Sequence, residues 1–97
     1  MMKILFKFYG VFKTAANTSE FAIDIAQPLT VRSVIMQLVS LREFQSLRPL
    51  LLWSGSSDPR PNALIMISGR EINALKGLET MLAENDEVAL LPIAHGG

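Results

Sequence analysis

One stretch of clear helical periodicity, set among segments of strand periodicity, narrows the fold more than any other feature. Val31, Val34, Ile35, Leu38 and Val39 fall at i, i+3, i+4, i+7 and i+8, the spacing that gathers five aliphatic side chains on one face of an α-helix. Thr30 stands just before them with a hydroxyl suited to accept an N–H of the first turn, and Pro28 closes the segment upstream. The spacing predicts a helix from Thr30 to about Phe44. A single apolar stripe needs an apolar surface to cover, and the flanking segments offer one in the form of a sheet.

Those segments alternate with period two. From Lys3 to Phe12 the pattern puts Ile4, Phe6 and Phe8 on one face and Lys3, Leu5, Lys7 and Tyr9 on the other. Glu20 to Ile25 alternates again, with Phe21, Ile23 and Ile25 inward, and Asn17-Thr18-Ser19 supplies turn chemistry between the two. This reads as an antiparallel hairpin with a long loop. The connection from Arg48 to Asn62 carries Pro49, Gly55, Pro59 and Pro61, so its second half is a loop. Leu50 to Trp53 is too apolar for solvent and is expected against the core as a short extended piece. Ala63 to Ser68 reads as a central strand, Gly69-Arg70 as a tight turn into a short segment, and Leu78, Met81 and Leu82 as a helical turn plugging the core. Asn85-Asp86 turns the chain into a last strand, Glu87 to Leu91, which Pro92 terminates. The order is α+β: a mixed four- to five-stranded sheet with one main helix on one face, the order of a β-grasp fold.

With 97 residues the chain is expected to form a single domain, 1–97, whose residues 92–97 make an extended, flexible C-terminal tail. Nine basic residues balance nine acidic ones, so no bulk field steers the chain to nucleic acid or an anionic membrane. There is no cysteine, which removes disulfides, thiolate metal sites and a cysteine nucleophile from consideration. The start alternates charged and apolar residues, unlike a secretory leader, and no run approaches a membrane span. Cytoplasmic residence is the expectation.

The chain closes on Gly96 and Gly97. Without a Cβ, these residues leave the terminal carboxylate open to close approach by a nucleophile, by ATP or by another backbone. The plain alternative is a frayed end without a role. Its setting adds weight: Asp86-Glu87-Val88-Ala89-Leu90-Leu91-Pro92-Ile93-Ala94-His95-Gly96-Gly97 joins an acidic turn, a core strand, a proline stop and the glycine pair. This stretch resembles the ending of the ubiquitin-like sulfur carriers, the MoaD and ThiS proteins, and MoaD in particular. Ile65-Met66-Ile67-Ser68-Gly69-Arg70-Glu71-Ile72 is similar to the same family's strand with its Asn-Gly turn, Ser68 standing in the asparagine position. Asn85 stands where the family usually has glycine, and Asn tolerates a left-handed turn.

The resemblance implies a mechanism. A partner similar to ubiquitin-activating enzymes would adenylate the Gly97 carboxylate with ATP and magnesium bound by that partner, and a persulfide would convert it to a thiocarboxylate. A molybdopterin synthase large subunit would then receive the sulfur for a pterin precursor. The chain itself would bind no cofactor or metal and would be a co-substrate rather than an enzyme. The same activated terminus would serve a modifier joined to protein lysines, or a ThiS-like carrier for thiazole synthesis; an interaction domain with inert glycines is a third class.

Apolar residues on the outward side of strands are surplus to one-sided packing, which makes Leu5, Tyr9, Leu91 and Ile93 candidates for partner docking, together with Pro92 and, less directly, Phe12. Packing under the long loop is the competing account. His95 is expected to contact the partner's channel or solvent, with no second histidine or cysteine to build a metal site. Arg70 is expected either to close a turn or to meet a partner carboxylate. Glu79, Glu84, Asp86 and Glu87 read as an acidic patch beside the tail, either a solvated face or a surface for basic residues of the activating enzyme.

Overall fold

In the computed structural model, which describes residues 1–93, the first two alternating runs pair as expected. Strand β1 (Met2–Phe8) lies antiparallel to β2 (Glu20–Ile25) in a register that sets Met2 opposite Ile25 and Lys7 opposite Glu20. Ile4, Phe6 and Phe8 are buried on one face, as period two requires.

The link between these strands is a helix, which corrects the reading of an extended run to Phe12. Gly10 takes φ +56, which ends the strand geometry, and α1 (Gly10–Ala16) follows directly. Phe12 and Ala16, four residues apart on one helical face, are both buried. Asn17, in the left-handed region at φ 58, closes the helix with its N–H donating to the Thr14 carbonyl. Phe12 therefore belongs to the core, 1% exposed, and where it borders the surface it does so from beneath the helix side of the sheet.

Helix α2 (Val31–Ser40) carries the five expected aliphatic residues, all buried, and the Thr30 side chain accepts the Ser33 N–H at 3.2 Å. It stops four residues short of Phe44. Leu41 is extended, and a 3-10 turn over Arg42–Phe44 then swings Phe44 into the core, where its ring meets Phe8 at 5.7 Å and Phe21 edge-on at 4.9 Å. The expected extended piece at Leu50 to Trp53 is instead a helical turn, α3 (Arg48–Leu51), with Pro49 in its first turn, where its missing N–H costs nothing. Leu51 and Leu52 are buried, but Leu50 and Trp53 are exposed, so only half of that segment is core. The buried Asn62 amide donates to the Leu51 carbonyl at 3.0 Å and ties the end of the loop to α3.

Strand β3 (Ala63–Ile67) turns through Ser68 and Gly69, both at positive φ, into β4 (Arg70–Glu71), the conformation of a two-residue hairpin that follows strand twist. Of the residues expected to plug the core after it, Leu78 and Leu82 are buried, whereas Met81 is 55% exposed and pairs its backbone with Thr30 instead. Strand β5 (Glu87–Pro92) inserts between β1 and β3, parallel to the first and antiparallel to the second, giving the order β2-β1-β5-β3-β4. The five-stranded mixed sheet with α2 on one face is the β-grasp architecture. The central strand is β5, not β3.

Candidate functional site

The last strand places the C-terminal segment. Phe8 opposite Leu90 is the last pair between β1 and β5, and Tyr9 N–H still reaches the Leu90 carbonyl at 3.2 Å before Gly10 turns the chain into α1. On its other side β5 stays bonded further. Pro92 faces Ala63, and Ile93 N–H donates to the Asn62 carbonyl at 3.2 Å. Sheet bonding thus includes Pro92 and Ile93, which the sequence placed at the root of the tail. Pro92 has no N–H to offer, which suits a position where β1 has already departed. Its ring lies over Gly10: a Cβ built on Gly10 would stand 2.8 Å from Pro92 Cγ. The four positions after Ile93, among them His95, Gly96 and Gly97, lie outside the described residues.

Two depressions border this exit. On the open sheet face, Tyr9, Met66, Gly69, Glu87, Ala89 and Leu91 line one of about 220 Å³. On the helix side, Val11, Pro49, Leu50, Trp53, Pro92 and Ile93 are among the residues lining one of about 260 Å³. Tyr9 and Leu91 therefore meet as the alternation anticipated, while Ile93 and Pro92 belong to the second hollow. Leu5 is set apart. It stands opposite Glu87, and the Lys7–Glu87 ion pair, at 2.7 Å, lies between it and the Tyr9 end of the face. That contact, first through its hydrogen bond and then through charge, raises the Lys7 ammonium above its ordinary pKa.

Met66 and Ala89 complete the sheet-side surface, and sequence reasoning did not select them. Their signal was present in the alternation of β3 and β5, but the one-sided-packing argument was applied only to β1 and to the end of β5. Val11, Leu50 and Trp53 were likewise missed, the first assigned to a strand and the other two to the core.

The acidic cluster lies at the opposite end of β5 from Pro92 and Ile93, except that Glu87 also lines the sheet-side hollow. Glu84 accepts the Lys3 N–H, and Asp86 takes the Ser68 hydroxyl at 2.8 Å and the Ala83 N–H at 2.7 Å. Asn85, at φ 68, sits in the same turn, in the left-handed conformation its residue type allows. These groups gather at the start of β5, and the strand runs about 20 Å from Asp86 to Pro92 at roughly 3.3 Å per residue. Glu79 is occupied by Arg32 at 3.1 Å. The carboxylates thus stitch the far end of the sheet together, with the Ser68 hydroxyl joining the β3–β4 turn to the start of β5. Arg70 is exposed in that hairpin and makes no ion pair among the described residues. No cluster of three or more metal-ligating side chains occurs among the described residues, and no helix there is long and apolar enough to cross a membrane.

Known proteins share this arrangement. Residues 6–97 match the ThiS family. A sulfur carrier protein, so named provisionally, of Archaeoglobus fulgidus is 33% identical over 81 residues, covering 84% of this chain and 88% of that protein. Small archaeal modifier protein 3 of Haloferax volcanii is 26% identical over 96 residues, 99% of this chain and all of that protein. The solution structure of small archaeal modifier protein 1 from Methanosarcina acetivorans superposes with a TM-score of 0.80 at 27% identity, covering 100% of this chain and 98% of that one. Strand order, with β5 at the centre of the sheet, and a family match over nearly the whole length converge: the chain belongs to the ThiS family of ubiquitin-like sulfur carriers, among whose relatives are small archaeal modifiers.

Proposed function

We propose that the chain is a sulfur carrier whose Gly97 carboxylate is adenylated and then converted to a thiocarboxylate. In that form it would deliver sulfur to a pterin precursor of the molybdenum or tungsten cofactor as the small subunit of a molybdopterin synthase-like complex. The observation that carries this reading is the position of β5. A strand bonded on both sides brings Ile93 out between two apolar hollows, three residues ahead of the glycine pair. The globular part acts as an address and the terminus as the reactive group.

A carboxylate is a poor electrophile, so activation comes first. Its oxygen attacks the α-phosphorus of ATP, pyrophosphate leaves, and the resulting acyl adenylate loses AMP to the terminal sulfur of a persulfide. A second thiol then cleaves the sulfur–sulfur bond, leaving the thiocarboxylate here and a disulfide on the donor. The chain has no cysteine, so both thiols come from partners, and ATP and magnesium belong to the ubiquitin-activating-enzyme-like adenylyltransferase. Tyr9, Leu91 and the sheet-side hollow dock these partners, with Leu5 a separate contact; Pro92, Ile93 and His95 guide the terminus, and Gly96 grants access. The chain works as one domain in the cytoplasm.

A second reading is supported by the end-to-end likeness to small archaeal modifier proteins. A lysine amine attacking the same activated carbonyl would form an isopeptide bond with a target protein. Intact-mass spectrometry after incubation with ATP, the adenylyltransferase and a sulfur donor tests both. A mass gain equal to exchanging one oxygen for sulfur, lost when Gly96 and Gly97 are deleted, is expected. An unchanged mass with an enzyme proven active would refute the carrier reading, and branched Gly-Gly remnants on other proteins would mark the modifier.

A further inference from the structure

Val11, Leu50 and Trp53 take no part in the reading above, yet they surround the same exit. Val11 is 55% exposed on α1 and Trp53 is 59% exposed after α3, and both line the helix-side hollow with Pro92 and Ile93. Three separate segments thus bring large apolar side chains to one exposed place, an arrangement more typical of an interface than of a lone surface residue. Tyr9 and Leu91 line the other hollow, so the exit has two apolar walls.

We propose that the helix-side hollow is a second docking surface for the adenylating enzyme, filled by an apolar segment of that enzyme while the terminus enters its active site. This rests on activation of Gly97 as proposed above. The occupant follows from reach. Residues 94–97 span at most about 13 Å at roughly 3.3 Å per residue, so an enzyme whose catalytic groups touch Gly97 brings its own surface within that distance of Ile93. The hollow begins at Ile93 and is covered in that encounter. Trp53 is the residue type that most often anchors such a contact when water is excluded around it. Lys13 and Arg48 flank the area and form no ion pair among the described residues, so the enzyme's rim is expected to be acidic there.

ATP–pyrophosphate exchange driven by the full chain and its adenylyltransferase tests the assignment. Val11→Asp and Trp53→Ser lie on different elements, so either can decide if the other lowers the melting temperature. Met81→Asp is the control, an equally exposed apolar residue beside the start of α2. Each of the first two is expected to raise KM for the chain roughly tenfold or more, the range of a lost interface anchor, with kcat unchanged because the terminus is untouched. The control is expected to match the parent. Unchanged KM in both, or a defect seen only when an acceptor protein receives the terminus, would overturn this inference alone. No exchange with the unaltered chain and a proven enzyme would overturn the activation reading along with it.

Discussion

Gly10→Ala probes how firmly the exit is held. Gly10 adopts φ +56, and an added Cβ would meet Pro92 Cγ at 2.8 Å and Cδ at 3.4 Å. Two costs follow. The left-handed backbone disfavours an L-side chain by about 1–2 kcal/mol, and forcing a methyl into a rigid proline ring adds about 1–3 kcal/mol of overpacking. The sum, roughly 2–5 kcal/mol, is a large part of the 5–15 kcal/mol that usually separates folded from unfolded domains. For a domain of this size it should lower the melting temperature by at least about 8 °C. Thermal and urea unfolding followed by far-ultraviolet circular dichroism would measure it. Pro92→Ala removes both crowding atoms, so the double variant should recover the packing part and leave only the backbone part. The double-mutant cycle isolates that coupling, expected at about 1 kcal/mol or more for side chains in contact. A Gly10→Ala protein as stable as the parent, or a double variant no better than Gly10→Ala with Pro92→Ala itself neutral, would refute the reasoning.

The remaining predictions concern the body that supports the exit. Phe12→Ala should cost about 3–5 kcal/mol in urea unfolding, the range for emptying a buried aromatic site, whereas a docking residue would leave stability nearly unchanged. Asn62→Ala orphans the Leu51 carbonyl it now satisfies and should cost roughly 1–3 kcal/mol, with faster amide exchange in α3. Asp58 is bound by Arg60 through both carboxylate oxygens at 2.8 and 2.9 Å, and that hydrogen bonding, foremost, holds its carboxyl below the ordinary range. Its contribution is therefore complete above the unfolded value of about 3.9 and is lost as pH falls through the lower folded value. Melting temperatures of the parent and Asp58→Asn should converge across that acidic range and differ by a constant amount above it; a gap that widens in acid would contradict the pairing.

What could be read from sequence was set by local chemistry. The face of α2 followed from spacing alone, and Thr30 marked its start because a cap is a one-residue signal. Its end carried no such mark. No glycine or proline stands near Ser40, and the extended Leu41 leads into the turn that carries Phe44 between Phe8 and Phe21, a tertiary contact that no local signal announces. α1 was lost in an alternating pattern that ran past Gly10, although Phe12 and Ala16 were four residues apart and Asn17 could close a helix. At the exit, alternation selected Tyr9 and Leu91 correctly as outward residues. It could not reveal that Leu5 stands beyond the Lys7–Glu87 pair, since register between β1 and β5 is a tertiary fact. The acidic cluster misled for a related reason: residues close in sequence were taken as close in space, and a strand carries its two ends apart.

The parallel pairing of β1 with β5 has a consequence for biosynthesis. β1 pairs early with β2 on one edge, but its other edge waits for β5, because the parallel partners of Phe6 and Phe8 are Val88 and Leu90, and such distant pairings make for slow folding. Until Glu87 to Pro92 is free, β1 and β3 lack the strand that joins them, and the sheet cannot close. A chain cut short before that point would offer neither a finished core nor the two hollows that border Pro92 and Ile93. The strand that completes the body is also the one that runs straight into Pro92 and Ile93, so, under the proposed activation, only a chain whose sheet has closed would be recognised.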